Sequence, residues 1–262
     1  MKRVVIISDL HCGHRAGITP PGWQYPELEN DDPERKSFAR NQRILWDWFT
    51  AEIDRLQPID FLLINGDAID GKGTRSGGTE VLEADRSKQA DIAVRVIERV
   101  GARKIVMTFG TPYHVGQEED WERIISERVG AEKIGSHEWP EIEGVIFDLK
   151  HKIGGSVIPH GRYTAIARED MWNLFWAERN GQPRADVIIR SHVHYFGYQG
   201  RDGQLGITMP ALQGWGSKYG TRECSGTVDI GFVHFDVEGR GNFAWSAHLL
   251  RSASAADMTL KL

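Results

Sequence analysis

Four apolar runs in this chain stop abruptly, and each leads into an aspartate or a histidine. Val4-Val5-Ile6-Ile7 gives way to Ser8-Asp9-Leu10-His11, and Phe61-Leu62-Leu63-Ile64 to Asn65-Gly66-Asp67. Val157-Ile158-Pro159 runs into His160-Gly161, and Val187-Ile188-Ile189 runs through Arg190 and Ser191 into His192-Val193-His194. Short β-branched runs bounded by polar residues read as buried strands. Open α/β sheets collect their ligands beyond the carboxyl ends of the strands. The pattern therefore points to a layered α/β domain in which several strand ends deliver Asp or His to one place. A carboxylate and an imidazole two residues apart, as in Asp9-x-His11, can face the same way and share one metal ion.

Between these runs the periodicity predicts helices over residues 34–56, 86–100, 118–129 and 165–179, the first carrying Phe38, Leu45, Phe49 and Ile53 along one side. A further strand over 104–109 ends at Gly110-Thr111-Pro112-Tyr113-His114, again a turn with a histidine. The first half thus reads β-α-β-α-β-α. The second half holds more strand. Residues 142–150 and 156–159 read as neighbours joined by Gly154-Gly155, and turn signals at Arg201-Asp202-Gly203 and Glu238-Gly239-Arg240-Gly241 mark antiparallel hairpins. With no internal repeat and no break in composition, residues 1–262 read as one domain, two packed sheets with helices outside. Trp172 and Trp176 lie on a helical segment and are expected to be core or half-buried packing residues. Trp23 and Trp215 lie in loops, where they are candidates to line a cleft.

A net charge of −5 argues against a general nucleic-acid coat or a binder of anionic membranes. A nuclease with metal ions and a local basic patch is compatible with it. Cys12 and Cys224 form no disulfide framework, which favours a reducing, cytoplasmic compartment, with Cys12 as a buried filler. The first apolar run ends at Asp9, too early for a signal-peptide core, and no stretch is long enough to span a membrane.

In chain order the chemistry reads Asp9-x-His11, Gly66-Asp67-x-x-Asp70, Gly110-Thr111-Pro112-Tyr113-His114, His160-Gly161 and His192-x-His194. This order resembles the calcineurin-like metallophosphoesterases, whose motifs D-x-H, G-D-x-x-D/N, G-N-H-D/E, H and G-H-x-H each follow a strand. The Gly-Thr-Pro-x-His form of the third motif resembles small phage and bacterial members. The resemblance implies a four-layer α/β/β/α fold, with the C-terminal hairpins in the second sheet. It implies that Asp9, His11, Asp67 and His194 hold one divalent ion and that Asp67, His160 and His192 hold a second, so that Asp67 bridges. Asp70 would orient the loop or a ligand histidine rather than bind metal. Manganese stands first among the metals, with iron, zinc or nickel also suited to carboxylate and imidazole donors.

The third motif departs from the family, because the usual asparagine ligand is missing and His114 arrives two places late. Thr111 or water could fill the vacancy, and His114 is either the acid that protonates the leaving group or a replacement ligand. His14, Arg162 and Tyr163 are candidates to contact substrate phosphate, while His137, His151, His234 and His248 read as plain packed or surface residues. The implied activity is phosphodiester hydrolysis of a nucleotide or nucleic acid by attack of a metal-bound hydroxide. The alternatives are a phosphomonoesterase and a non-catalytic scaffold of the same fold. Nothing in the sequence fixes the oligomeric state.

Overall fold

In the computed structural model, which describes residues 1–116, 120–219 and 228–251, the first apolar run is an interior strand. β1 (Lys2–Ile7) is fully buried from Val4 to Ile7. It pairs in parallel with β2 (Phe61–Asn65), which is followed across the sheet by β3 (Lys104–Thr108) and β4 (Lys133–Gly135). On its other side it pairs antiparallel with β10 (Ile230–Gly239), which β11 (Asn242–Leu250) flanks as the edge. A second sheet has the order β5 (Glu141–Ile142), β6 (Val145–Lys152), β7 (Val187–Ser191), β9 (Gln204–Thr208), β8 (Gly197–Arg201).

Strand side chains alternate between faces, so β1 feeds two cores at once. Val4 and Ile6, with Leu63 and Phe235, face Phe147, Leu149, Val187 and Ile189 of the second sheet. Val5 and Ile7 face the other way, where Phe49 and Ile53 of α1 (Pro33–Arg55) and Ala93 and Ile97 of α2 (Arg86–Val100) cover them. α1 begins where Asp32 accepts the Arg35 N–H at 2.9 Å and Pro33 takes the first helical position. On the far side, Ala165 and Ile166 of α5 (Gly161–Glu178) pack on Ile188 and Tyr195. The expected α/β fold of two sheets flanked by helices is therefore the observed one. Two short helices, α3 (Pro112–Val115) and α4 (Trp121–Arg128), follow β3. Among the described residues no helix is long and apolar enough to cross a membrane.

Three local expectations need correction. Residues 156–159 form no strand: Val157 and Ile158 are exposed, and Ser156 Oγ closes a turn by accepting the Ile158 N–H at 3.2 Å. The hairpin β8–β9 joins the second sheet as expected, but β10–β11 joins the first. The reason is that β10 is apolar on both faces, with Val233, Phe235 and Val237 toward the inter-sheet core and Ile230 and Phe232 toward the helices, so it needs an interior place. Trp172 and Trp176 are half exposed on the outer face of α5, while Trp23 and Trp215 pack at the rim of the first core.

Candidate metal centre

The loops after β1, β2 and β7 and the end of β6 meet at one edge of the sandwich. Backbone bonds hold the first two loops together: the Asp9 N–H donates to the Gly66 carbonyl and the His11 N–H to the Asp67 carbonyl, each at 3.0 Å. Asp9, His11, Asp67, His192 and His194 all take left-handed backbone conformations, with φ of 50°, 44°, 53°, 75° and 54°. A non-glycine residue in that region costs of order 1–3 kcal/mol and persists where the surroundings over-determine it. Here the strained bends bring alternate side chains, Asp9 with His11 and His192 with His194, to the cluster, while Leu10 and Val193 between them pack in the cores. Gly110 is needed for a different reason, since a Cβ there would lie 2.1 Å from Asp67 Oδ1.

The side chains converge in three overlapping groups that could each hold a metal ion: Asp9, His11 and His194; His11, Asp67 and His114; and Asp67, His151 and His192. Within each group the donor atoms lie within 4.8 Å of one another. His194 Nε2 is 3.2 Å from both His11 Nε2 and Asp9 Oδ1, and His151 Nε2 is 2.9 Å from Asp67 Oδ2. Asp9 Oδ1 and His151 Nε2 are buried and make no well-directed hydrogen bond despite these short separations. Close but misdirected contacts are what donors aimed at a common third point produce. Carboxylate and imidazole donors suit a divalent transition metal, so the residues fit the ions that the motifs imply.

Burial opposes charge on Asp9, but the imidazoles of His194 and His151 hold its carboxyl well below the usual carboxylate range. Asp67 is likewise buried and is held low by His151 and His114. Burial, helped by His114, pushes His11 down to about 4, and burial pushes His192 to about 4, so both are neutral. His151 goes the other way: burial lowers it, yet the charges of Asp67 and Asp9 and a bond to the Asn65 carbonyl raise it to about 10. That bond, 2.6 Å long, runs from Nδ1 and leaves Nε2 turned to the carboxylates.

Asp70 Oδ1 accepts from His11 Nδ1 at 3.2 Å and lies 3.6 Å from His114 Nδ1. Thr111 donates its N–H at 2.7 Å and its hydroxyl at 3.1 Å to Asp67 Oδ1. His114 Nδ1 donates to the Asp70 carbonyl at 2.8 Å, and its Nε2 lies 4.0 Å from Asp67 Oδ2. His14 is buried beside the cluster, with Nδ1 accepting the Ala16 N–H at 2.9 Å and Nε2 3.7 Å from Glu80. A cavity of about 500 Å³ opens onto this assembly and is lined by His11, His14, Asp70, Glu80, His114 and Lys218 among others. Cys12 is buried, its thiol raised by burial and directed at the Ile18 carbonyl, while Cys224 lies outside the described residues.

His160, Arg162 and Tyr163 are not brought to the cluster. His160 is exposed at the start of α5, and the three line a separate cavity of about 530 Å³ against Tyr195 and Phe196. His151 stands with Asp67 and His192 in its place. The run Val157-Ile158-Pro159 is too short and too near Gly161 to be a strand, so the chain turns into α5 there. The signal for His151 was present in the sequence. Val145, Phe147 and Leu149 alternate inward along β6, and His151 is the next residue of that period, at the end of the strand.

No protein-family model and no curated protein matches the chain. Among solved structures it is similar to an archaeal phosphodiesterase, at 14% identity over 95% of this chain and 99% of that one, with a TM-score of 0.49. It is also similar to Vps29 of Entamoeba histolytica complexed with zinc, at 16% identity over 94% and 98% with a TM-score of 0.44. Vacuolar protein sorting 29 of Cryptosporidium parvum is 13% identical over 96% and 98%, with a TM-score of 0.47.

Proposed function

We propose that this chain is a metal-dependent phosphoesterase, and specifically a phosphodiesterase of nucleotide or nucleic-acid esters. The observation that carries the reading is the convergence of the three donor groups on Asp67 and His11, the residues that recur among them. In this reading Asp9, His11 and His194 hold one divalent ion, Asp67, His151 and His192 hold the other, and Asp67 faces both. When bound, two such ions supply Lewis acidity, charge neutralisation and a nucleophile drawn from water at neutral pH.

The remaining residues set geometry and protonation. Thr111 holds Asp67 by its N–H on Oδ1 and by its hydroxyl, 3.1 Å from Oδ1 and 3.3 Å from Oδ2, while Oδ2 is the oxygen that faces His151. The Asp70 carbonyl takes the Nδ1 proton of His114, which leaves a lone pair on Nε2 in the neutral ring and supports a ligand role over that of leaving-group acid. A cavity of about 500 Å³ matches a nucleotide-sized ligand. Asp67, Asp70 and Glu80 line it with Lys218 as the one lysine or arginine among its described lining residues, a balance that supports a small ester over a long polyanion.

The test is hydrolysis of bis-p-nitrophenyl phosphate and p-nitrophenyl phosphate by chelated protein before and after manganese or nickel is restored. Metal-dependent turnover faster on the diester supports the reading, and faster turnover on the monoester replaces it with a phosphomonoesterase. Bound metal without hydrolysis would favour a scaffold, and failure to bind metal would refute the proposal.

A further inference from the structure

Glu122 has no exposed surface and belongs to none of the donor groups, yet both its carboxylate oxygens are engaged. Oε1 accepts the N–H of Ala68 at 2.9 Å and Oε2 the N–H of Gly110 at 2.5 Å. These donors belong to different loops. Ala68 directly follows Asp67 after β2, and Gly110 directly precedes Thr111 after β3. Thr111 then donates its N–H and hydroxyl to Asp67 Oδ1. The result is a closed circuit from one helix, through two loops, back to a single carboxylate.

The helix is itself fixed. Asp120 accepts the Arg123 N–H at 3.3 Å to start α4, and Glu122, Ile125 and Ser126 form its buried face. Ile125 is fully buried in the first core and anchors that face. Burying a carboxylate is costly unless its acceptors are filled, and packing alone asks for no charge at this position. The two loops meet so closely that a Cβ on Gly110 would touch Asp67. Burial and the neighbouring charge of Asp67 push the Glu122 carboxyl up to about 8, against the pull of the two N–H donors, and its two oxygens give each loop's N–H a separate acceptor.

The geometry points to Glu122 as a positioning residue for the metal centre: it locks the β2 and β3 loops to each other and thereby aims Asp67 Oδ2 at the cluster. This rests on the metal-dependent reading proposed above. Glutamine is nearly isosteric but turns an NH₂ toward one of the two N–H donors, so Glu122→Gln should release one loop while the core stays packed.

Chelated wild type and Glu122→Gln are titrated calorimetrically with manganese, and amide exchange and thermal unfolding are followed in the metal-free proteins. Glu122→Gln is expected to bind manganese about 10–100-fold more weakly, the usual loss when a ligand's supporting partner is removed. Faster exchange should be confined to residues 66–70 and 109–114, with the metal-free unfolding midpoint little changed. Glu122→Asp keeps both acceptor oxygens on a shorter arm and should fall between. Equal manganese affinity in folded Glu122→Gln and wild type overturns the proposal while leaving the metal-dependent reading intact, whereas a wild type that binds no manganese overturns both. If Glu122→Gln does not fold, Thr111→Val, which removes only the hydroxyl arm of the same circuit, takes its place, and unchanged affinity there overturns the proposal.

Discussion

His151 should make cation binding strongly dependent on pH. Its folded-state pKa of about 10 lies far above the ordinary histidine value of about 6.5 because Asp67 and Asp9 face it. At neutral pH the ring therefore carries a proton that a cation must displace. The gap of roughly three pH units, at about 1.4 kcal/mol each, corresponds to about 4 kcal/mol, or roughly a thousandfold in affinity. His11 and His192, lowered to about 4, are already neutral and add no such demand. The sign is fixed by the direction of the shift. A raised pKa means that protonated His151 stabilises the metal-free fold below about pH 6.5, and that this contribution is lost as pH rises through about 10. Rising pH thus weakens the metal-free protein and strengthens cation binding together. Manganese affinity measured by competition with an indicator chelator, from about pH 6 to about pH 8.5, should rise about tenfold per pH unit from this group alone. In His151→Ala the slope of log affinity against pH should fall by about one, whatever the loss in affinity. Identical slopes in the two proteins would refute the assignment of His151 to the centre.

Asp67→Asn should lose more metal and more turnover than Asp70→Asn, because Asp67 faces two donor groups whereas Asp70 acts through His11, where a loss of about 10–100-fold is typical; metal analysis and turnover giving equal losses would remove the bridging role. His160→Ala and Arg162→Ala should leave metal content and turnover at wild-type levels, and a metal deficit in His160→Ala would restore the residue the sequence first suggested. His114→Ala should shed metal and be partly rescued by excess manganese; full occupancy with turnover lost only on poor leaving groups would make His114 the proton donor instead. His192→Gly relieves a backbone held at φ 75°, so metal-free unfolding should show a gain of about 1 kcal/mol while metal binding falls, and a destabilised metal-free variant would contradict the strain.

Much of the centre was legible because strand ends are. The runs before Asp9, Asp67 and His192 are buried strands with turns after them, and each turn delivers its residue to the cluster. His151 was overlooked because it closes a strand rather than following one, and period-two alternation with a polar last member looks like an ordinary solvent-facing end. His160 was misplaced because two apolar residues before a proline, with a glycine close behind, satisfy a strand pattern without the length to pair. The two apolar faces of β10 ask for an interior place, but that the place lies beside β1 in the first sheet is a fact of tertiary packing that no local pattern carries. The Glu122 brace was equally hidden, since a glutamate early in an amphipathic helix ordinarily faces water.

The pairing of β1 with β10 has a consequence for how the chain comes into being. Once the strand that leads into Asp9 and His11 is made, its antiparallel neighbour follows only roughly 230 residues later, a wait of about 10–50 s at ordinary synthesis rates. All the motif histidines and aspartates precede that neighbour, the last of them being His194. During the interval Val4 to Ile7 present an unpaired, wholly apolar edge, the kind of surface on which chains join one another. The nascent chain therefore holds its full ligand set before the sheet that carries half of it can close, and the step most exposed to aggregation is the arrival of β10.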